Sequence, residues 1–307
     1  MKRILYIIIA AACLAACADK GTKKVMTRAE RLRMKKADSA ALKIAVMPTL
    51  DCLPLFVARE CRLFDTLGVD VRLKYFKAQM DVDTALAGCS VEGGVSDLVR
   101  TERLKQKGTP LDYLTATDGS WQLVVNRTAR IKLLKQLDDK MLAMTRFSAT
   151  DRFSDIALDS AKLKYDRVYR VQINDVNLRL LMLLNNEMDA LWLPEPQATV
   201  ARHHKHGVLM DSRKMKGSWG VLAIRTDRTA DKSRQEQLKL LVKAYNTACD
   251  SINKRGVAHY MPLIEQYCKQ KKEHLKKLPA DLRFRPVAKP AEEDVNSARQ
   301  WLEKKSL

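Results

Sequence analysis

Long apolar runs are scarce in this chain: past its N-terminus no segment reaches 18 consecutive apolar residues, so no second membrane span is expected. Glycine and proline are also few, at 11 and 9 in 307 residues, which excludes a collagen-like or low-complexity chain. Aromatics make up 6% and do not interleave with the basic clusters, as stacking on single-stranded nucleic acid would require. There is no zinc finger, RNP-like motif or KH loop. No CxxC spacing occurs, which removes support for a zinc site or a thioredoxin-type pair. There is no GxSxG, no defensible Ser-His-Asp order and no Gly-rich phosphate loop. No cofactor is therefore expected.

What remains is enough for a sizeable core. Hydrophobic residues make up 46% and charged residues 30%, and the length suggests about two domains. The formal net charge is +20, which raises nucleic acid, an anionic membrane surface or acidic ligands as partners. The positive charge is clustered. Residues 20–36 hold Lys20, Lys23, Lys24, Arg28, Arg31, Arg33, Lys35 and Lys36 against Glu30 alone. A second cluster is Lys269, Lys271, Lys272, Lys276 and Lys277. Both read as solvated faces, and no nucleic acid is expected.

The N-terminus carries the most specific signal. Lys2 and Arg3 precede an unbroken apolar run from Ile4 to Ala16. That run is too short for a bilayer, which needs about 20 residues, and matches the h-region of a signal peptide. It ends in Leu14-Ala15-Ala16-Cys17, which resembles the lipobox of bacterial lipoproteins. Residues 1–17 are thus expected to be a lipoprotein signal, with Cys17 carrying the lipid and the protein facing the periplasm or exterior. Cys13 would leave with the signal. Cys52, Cys61, Cys89, Cys249 and Cys268 would remain, an odd number, so at least one thiol is free or paired between chains. Cys249–Cys268 is a conceivable disulfide.

Residues 18–40 are polar and basic and read as a linker. Strand and helix patterns then alternate. Residues 43–47 read as a buried strand and 69–76 alternate with period two. Strands are also expected at 93–96, 111–116, 121–126, 141–144, 169–173, 189–193 and 218–224. Between them lie helical patterns, one opening near Thr150 with Ser148 or Thr150 as its cap. Another, capped by Asn174, runs from Val176 to Glu187. Residues 230–277 read as helical throughout, and a last helix spans about 292–304. Strands interleaved with helices predict mostly parallel α/β sheets.

Three segments suggest a family. Lys43-Ile44-Ala45-Val46-Met47-Pro48-Thr49-Leu50-Asp51, with Leu53 to Glu60 and Leu63-Phe64 after it, resembles the opening of type II periplasmic binding proteins. The subgroup it resembles holds the nitrate/sulfonate/taurine and thiamine-precursor binding proteins. Asp189 to Pro196 resembles the second-lobe strand and turn of that subgroup, and Glu293-Asp294-Val295 with Trp301-Leu302 its C-terminal helix. Where that subgroup often has Gly, this chain has Cys61 or Arg62, and its first loop carries Asp51 and Cys52. The resemblance implies two α/β lobes joined by two hinge crossovers near 121–130 and 216–226. It places lobe 1 at 42–125 plus 220–307 and lobe 2 at 127–218. It implies a monomeric, extracytoplasmic receptor that binds a small solute between its lobes and works with the permease and ATPase subunits of an ABC importer. A solute-sensing lipoprotein is the alternative, or an enzyme on the same fold of the pyrimidine-precursor or menaquinone-pathway type.

In open α/β sheets ligands bind beyond the carboxyl ends of the strands. That rule selects Thr49, Leu50 and Asp51, then Ser96 and Asp97, Asp118 to Trp121, Phe147 to Thr150, and Glu195. Ser148-Ala149-Thr150 opens a helix and offers unpaired N–H groups to an anion, unless it is an ordinary cap. Asp51 either pairs with a ligand amine or forms a turn. Trp121 either stacks on a ligand or packs in the core. Glu195 reads as a structural cap more than a ligand contact. The basic surplus favours an anionic solute. His203 and His206 share a helix face, but no carboxylate completes a metal site, and a solvated helix end is the expected reading. If Cys17 carries the anchor, Cys17→Ala releases the protein from the membrane fraction on centrifugation; unchanged membrane association contradicts the anchor.

Overall fold

A computed structural model describes residues 26–306. The signal segment, Cys17 and the first part of the basic stretch lie outside those residues. The chain divides into two units at Ala40/Ala41. In the first, α1 (Arg28–Ala40) is helical, so the later part of the stretch read as a basic linker carries regular secondary structure. Arg, Ala, Leu, Met, Lys and Glu are strong helix formers. Thr27 and Glu30 also cap one another: Glu30 Oε2 accepts from the Thr27 amide at 2.7 Å, and Thr27 Oγ1 accepts from the Glu30 amide at 3.2 Å. This is a reciprocal capping box at the Thr-x-x-Glu spacing.

The second unit runs through β1 (Leu42–Val46), α2 (Leu53–Glu60), α3 (Leu63–Thr66), β2 (Val71–Tyr75), α4 (Gln79–Ala87), β3 (Gly93–Asp97), α5 (Leu98–Gln106), β4 (Leu111–Thr117) and β5 (Trp121–Val125). It continues through β6 (Lys140–Met144), α6 (Ala149–Ala161), β7 (Val168–Gln172), α7 (Val176–Leu184), β8 (Ala190–Pro194), α8 (Gln197–His203), β9 (Gly207–Asp211) and β10 (Gly220–Arg225). Three helices close it: α9 (Lys232–Arg255), α10 (Met261–Cys268) and α11 (Glu292–Ser306).

Two five-stranded sheets form, in the orders β2-β1-β3-β10-β4 and β7-β6-β8-β5-β9. In each, the first three strands are parallel and the fourth is antiparallel. The chain is a two-lobe α/β fold. The antiparallel strands are those by which it crosses between sheets. β5 arrives directly from β4, and β10 returns from β9.

Residues 121–125, expected in lobe 1, therefore belong to the second sheet, because β5 pairs along its whole length with β8. The first crossover is the short segment 118–120. Strand β9 had no sequence signal: it starts at a glycine, lies at the sheet edge and is half wet. The central strands β5, β8 and β10 are buried at every residue, as expected where helices cover both faces.

Two helix assignments change. Asp175, not Asn174, caps α7, its Oδ1 accepting from the amides of Asn177 at 2.9 Å and Leu178 at 3.1 Å. Residues 230–277 are not one helix. Gly256 at φ 78° ends α9, and Lys269 at φ 57° ends α10. Positive φ stops a right-handed helix and is easiest for glycine. Cys249 and Cys268 are both free, which corrects the conceivable disulfide. The Cys249 thiol donates to the Arg285 carbonyl at 3.4 Å, while burial, with a smaller push from the Asp51 charge, raises the Cys268 thiol.

One part of the core is built around Phe153 of α6. Its ring centroid lies 5.9 Å from that of Trp121, 5.4 Å from Trp192 and 5.7 Å from Trp219. Removing such a ring costs transfer energy and leaves a cavity. Phe153→Ala is expected to lose about 3–5 kcal/mol in urea unfolding; a loss under about 1 kcal/mol would show that this cluster is not the keystone of its lobe.

Candidate functional site: a cleft between the two sheets

The carboxyl ends of β1, β3 and β8 converge with the crossover 118–120 on one cleft. Of the residues selected from sequence, Thr49, Leu50, Asp51, Ser96, Asp118, Trp121, Thr150 and Glu195 line it; Asp97, Phe147, Ser148 and Ala149 do not. The space inside it is about 40 Å³ for the centre of a water-sized sphere. One water needs about 10–15 Å³ on that measure, so in this conformation the cleft admits only a few atoms.

Direct hydrogen bonds between the lobes hold it nearly shut. The Leu50 amide donates to the Glu195 carbonyl at 2.8 Å. Gln197 Nε2 donates to the Pro48 carbonyl at 2.8 Å. Arg100 Nη1 donates to the Arg146 carbonyl at 3.3 Å. The guanidinium of Arg103 lies 4.0 Å above the Phe147 ring, so Phe147 serves the lobe contact and not the cleft.

The expected anion cradle is filled from within. Ser148 caps α6, its Oγ accepting from the Thr150 amide at 3.1 Å. The Ala149 amide donates at 3.0 Å to Oδ1 of Asp97, which comes from the opposite sheet. That oxygen also accepts from the Arg100 amide at 3.0 Å, and Oδ2 accepts from Gln79 Nε2 at 2.8 Å. A protein carboxylate thus sits where the sequence reading placed a ligand anion. Asp97 is fully buried, and burial raises its carboxyl to about 6 against the pull of nearby Arg100.

The other side chains differ in how free they are. The Glu195 carboxylate is spent on its own helix, accepting from the Thr199 amide at 3.0 Å and pairing with Arg202 at 2.8 Å. Asp118 is bound by Arg285, through Nε at 2.6 Å and the amide at 2.8 Å. Trp121 is 7% exposed and packs mainly against Phe153, with one edge on the cleft. Asp51 has no cationic partner among the described residues; the hydroxyls of Thr49 and Thr117, the latter at 3.5 Å, and its own backbone amide donate to it. Burial, with a smaller push from the charge of Asp118, raises its carboxyl. Ser96 is buried and lines the cleft, and its Oγ has no hydrogen-bond partner among the described residues.

Sequence reasoning missed Gln79, Arg179 and the segment 282–284, all of which line the cleft. A lone arginine inside the apolar run Val176–Leu184 was a usable signal for Arg179. Gln79 and 282–284 gave none. His203 packs with His204 and His274 at ring distances of 4.9–5.3 Å. No group of three or more possible ligands among the described residues is arranged to hold a metal.

The chain belongs to the family described as NMT1/THI5 like, whose pattern it matches over residues 49–255. Its fold is that of the periplasmic binding proteins. It is similar to the alkanesulfonate-binding protein SsuA from Xanthomonas axonopodis pv. citri bound to MOPS, with a TM-score of 0.72 and 15% identity over 86% of this chain and 91% of that one. It is also similar to the periplasmic nitrate-binding protein NrtA from Synechocystis PCC 6803, with a TM-score of 0.64 and 12% identity over 81% and 74%. A third similar structure is PhnD1 from Prochlorococcus marinus (MIT 9301) in complex with methylphosphonate, with a TM-score of 0.61 and 12% identity over 87% and 99%. No curated protein sequence matches the chain.

The Asp97 contact has a pH signature. Its folded value near 6 stands above the ordinary 3.8, so the folded state holds the proton more tightly than the unfolded state. Stability from this group is then present at low pH and lost as pH rises from about 4 through about 6. Asp97→Asn keeps the acceptor oxygen and removes the titration. Urea unfolding at several pH values is expected to show a flatter slope in that window for the variant; identical slopes would mean that Asp97 does not titrate there.

Proposed function

We propose that the chain is the lipid-anchored, extracytoplasmic solute-binding protein of an ABC importer. It closes its two lobes on one small molecule and hands it to permease and ATPase subunits. The observation that carries this reading is the cleft itself. Two sheets turn the ends of their strands toward one another, and main-chain hydrogen bonds such as Leu50 to Glu195 cross between them. Hinged lobes of this kind close around ligands. Support comes from the solved relatives, whose descriptions name an alkanesulfonate, nitrate and methylphosphonate.

The solute is bound where Thr49, Leu50, Asp51, Ser96, Trp121 and Thr150 meet. Asp97, Ser148 and Ala149 hold the lobes together behind it. Binding, not turnover, is the activity, and the protein acts as a monomer facing the periplasm or exterior. The crossovers at 118–120 and 212–219 serve as the hinge. A ligand selective for the folded form stabilises it by mass action, by about 2.7 kcal/mol at a hundred times its Kd.

The full chain in detergent is therefore expected to gain thermal stability with one compound from a library of sulfonates, nitrate, pyrimidines, amino acids and small amines. Absence of any stabilising compound in a chemically broad library would count against the receptor reading, and turnover of a bound compound would favour an enzyme.

A further inference from the structure

The charges around the cleft are unevenly satisfied. Two positive side chains line it, Arg179 and Arg283. Arg179 is 1% exposed and spends its donors on protein acceptors. Its Nε donates to the Ile173 carbonyl at 3.0 Å, Nη1 to the Trp192 carbonyl at 2.7 Å and Nη2 to Thr145 Oγ1 at 2.7 Å. Arg283 stands exposed at the rim, where water screens it. The helix N-terminus that an oxyanion would seek is already occupied by the Asp97 carboxylate.

On the negative side, Asp118 and Glu195 have arginine partners. Asp51 has none among the described residues; its neighbours are the hydroxyls of Thr49 and Thr117. A partly buried carboxylate without a cation is costly and regains that cost when a positive donor meets it. Lining the same cleft, the buried Ser96 hydroxyl has no hydrogen-bond partner among the described residues. A buried hydroxyl left without a bond is equally uneconomical, and a ligand atom that meets it restores the lost interaction.

We propose that this cleft takes a small organic cation, a solute that presents an ammonium, amidinium or guanidinium N–H to Asp51 and a hydrogen-bonding atom to Ser96, in place of the oxyanions named for its structural relatives. This rests on the reading of the chain as a solute-binding protein. The anion-binding features of the cleft are turned inward: Arg179 braces the loop before α7, and the α6 N-terminus holds the lobe contact. The acceptor at Asp51 is what remains for a ligand.

The test is calorimetric titration of the full chain in detergent with methylammonium, acetamidinium and methylguanidinium, set against nitrate, methanesulfonate and methylphosphonate. At least one cation is expected to bind saturably at one site. Asp51→Asn is expected to weaken it by about 30-fold or more, as loss of one partner of a buried charge pair does. Ser96→Ala is expected to weaken it by roughly 3- to 10-fold. Circular dichroism and the unliganded melting temperature check that each variant folds, and Ser96→Ala carries the test if Asp51→Asn does not. Binding of the oxyanions with the cations inert overturns the proposal and leaves the solute-binding reading in place. Cation binding that neither variant weakens also overturns it. Binding by nothing, in these sets or in a broader library, overturns both.

Discussion

A carboxylate from one sheet bound by the first amide of a helix on the other is the contact on which this structure turns. Asp97 ends β3, Ala149 opens α6, and the 3.0 Å bond between them joins the lobes at a fully buried point. Burying a carboxylate is unfavourable unless hydrogen bonds replace its water. Here two amides and the Gln79 side chain do so. The arrangement works only when both lobes are in place, because opening them removes the Ala149 amide. The same contact decides the character of the cleft in front of it. An N-terminal helix seat that holds a protein carboxylate is not free to hold another anion.

Opening must also break the Leu50–Glu195 and Gln197–Pro48 bonds. Each is worth about 0.5–1.5 kcal/mol net, and more where a charge takes part. On the proposed reading, such bonds are part of what a hinge opening would have to break. A solute that contacts both lobes can shift that balance by its differential affinity for the closed state. The small space inside the closed cleft follows from the same bonds, since they draw the strand ends together until few atoms fit. Each sheet keeps its three parallel strands, and the chain passes from one sheet to the other at 118–120 and 212–219.

Much of the fold was legible in the sequence, and the failures are instructive. Strand β1 announced itself as a short buried run and β2 by alternation, and β4 and β8 were also expected as strands. The sheet to which β5 belongs was not legible. A fully buried strand after a turn has the same pattern in either lobe, and its partner β8 lies some 65 residues downstream. The helical reading of 230–277 did not mark the breaks at Gly256 and Lys269, where the backbone takes positive φ. Strand β9 failed for want of any pattern at a wet sheet edge. The strand-end rule selected Asp51, Ser96 and Thr150, which line the cleft, and it left open whether Ser148 to Thr150 serve an anion or an ordinary cap; the Asp97 contact to the Ala149 amide was not foreseen. Which group fills a helix N-terminus is a question of long-range contact, and 52 residues separate Asp97 from Ala149. Arg179 was visible as a charge in an apolar helix; its use as a brace was not.

If the lobes shut on a solute in front of the Asp97–Ala149 contact, a crystal structure of the protein with a bound solute will show it. Electron density is expected in the cleft within hydrogen-bond distance of the Asp51 carboxylate and the Ser96 hydroxyl, with Asp97 still bonded to the Ala149 amide. Density for the solute at the α6 N-terminus with Asp97 displaced, or bound outside the cleft altogether, would contradict this reading.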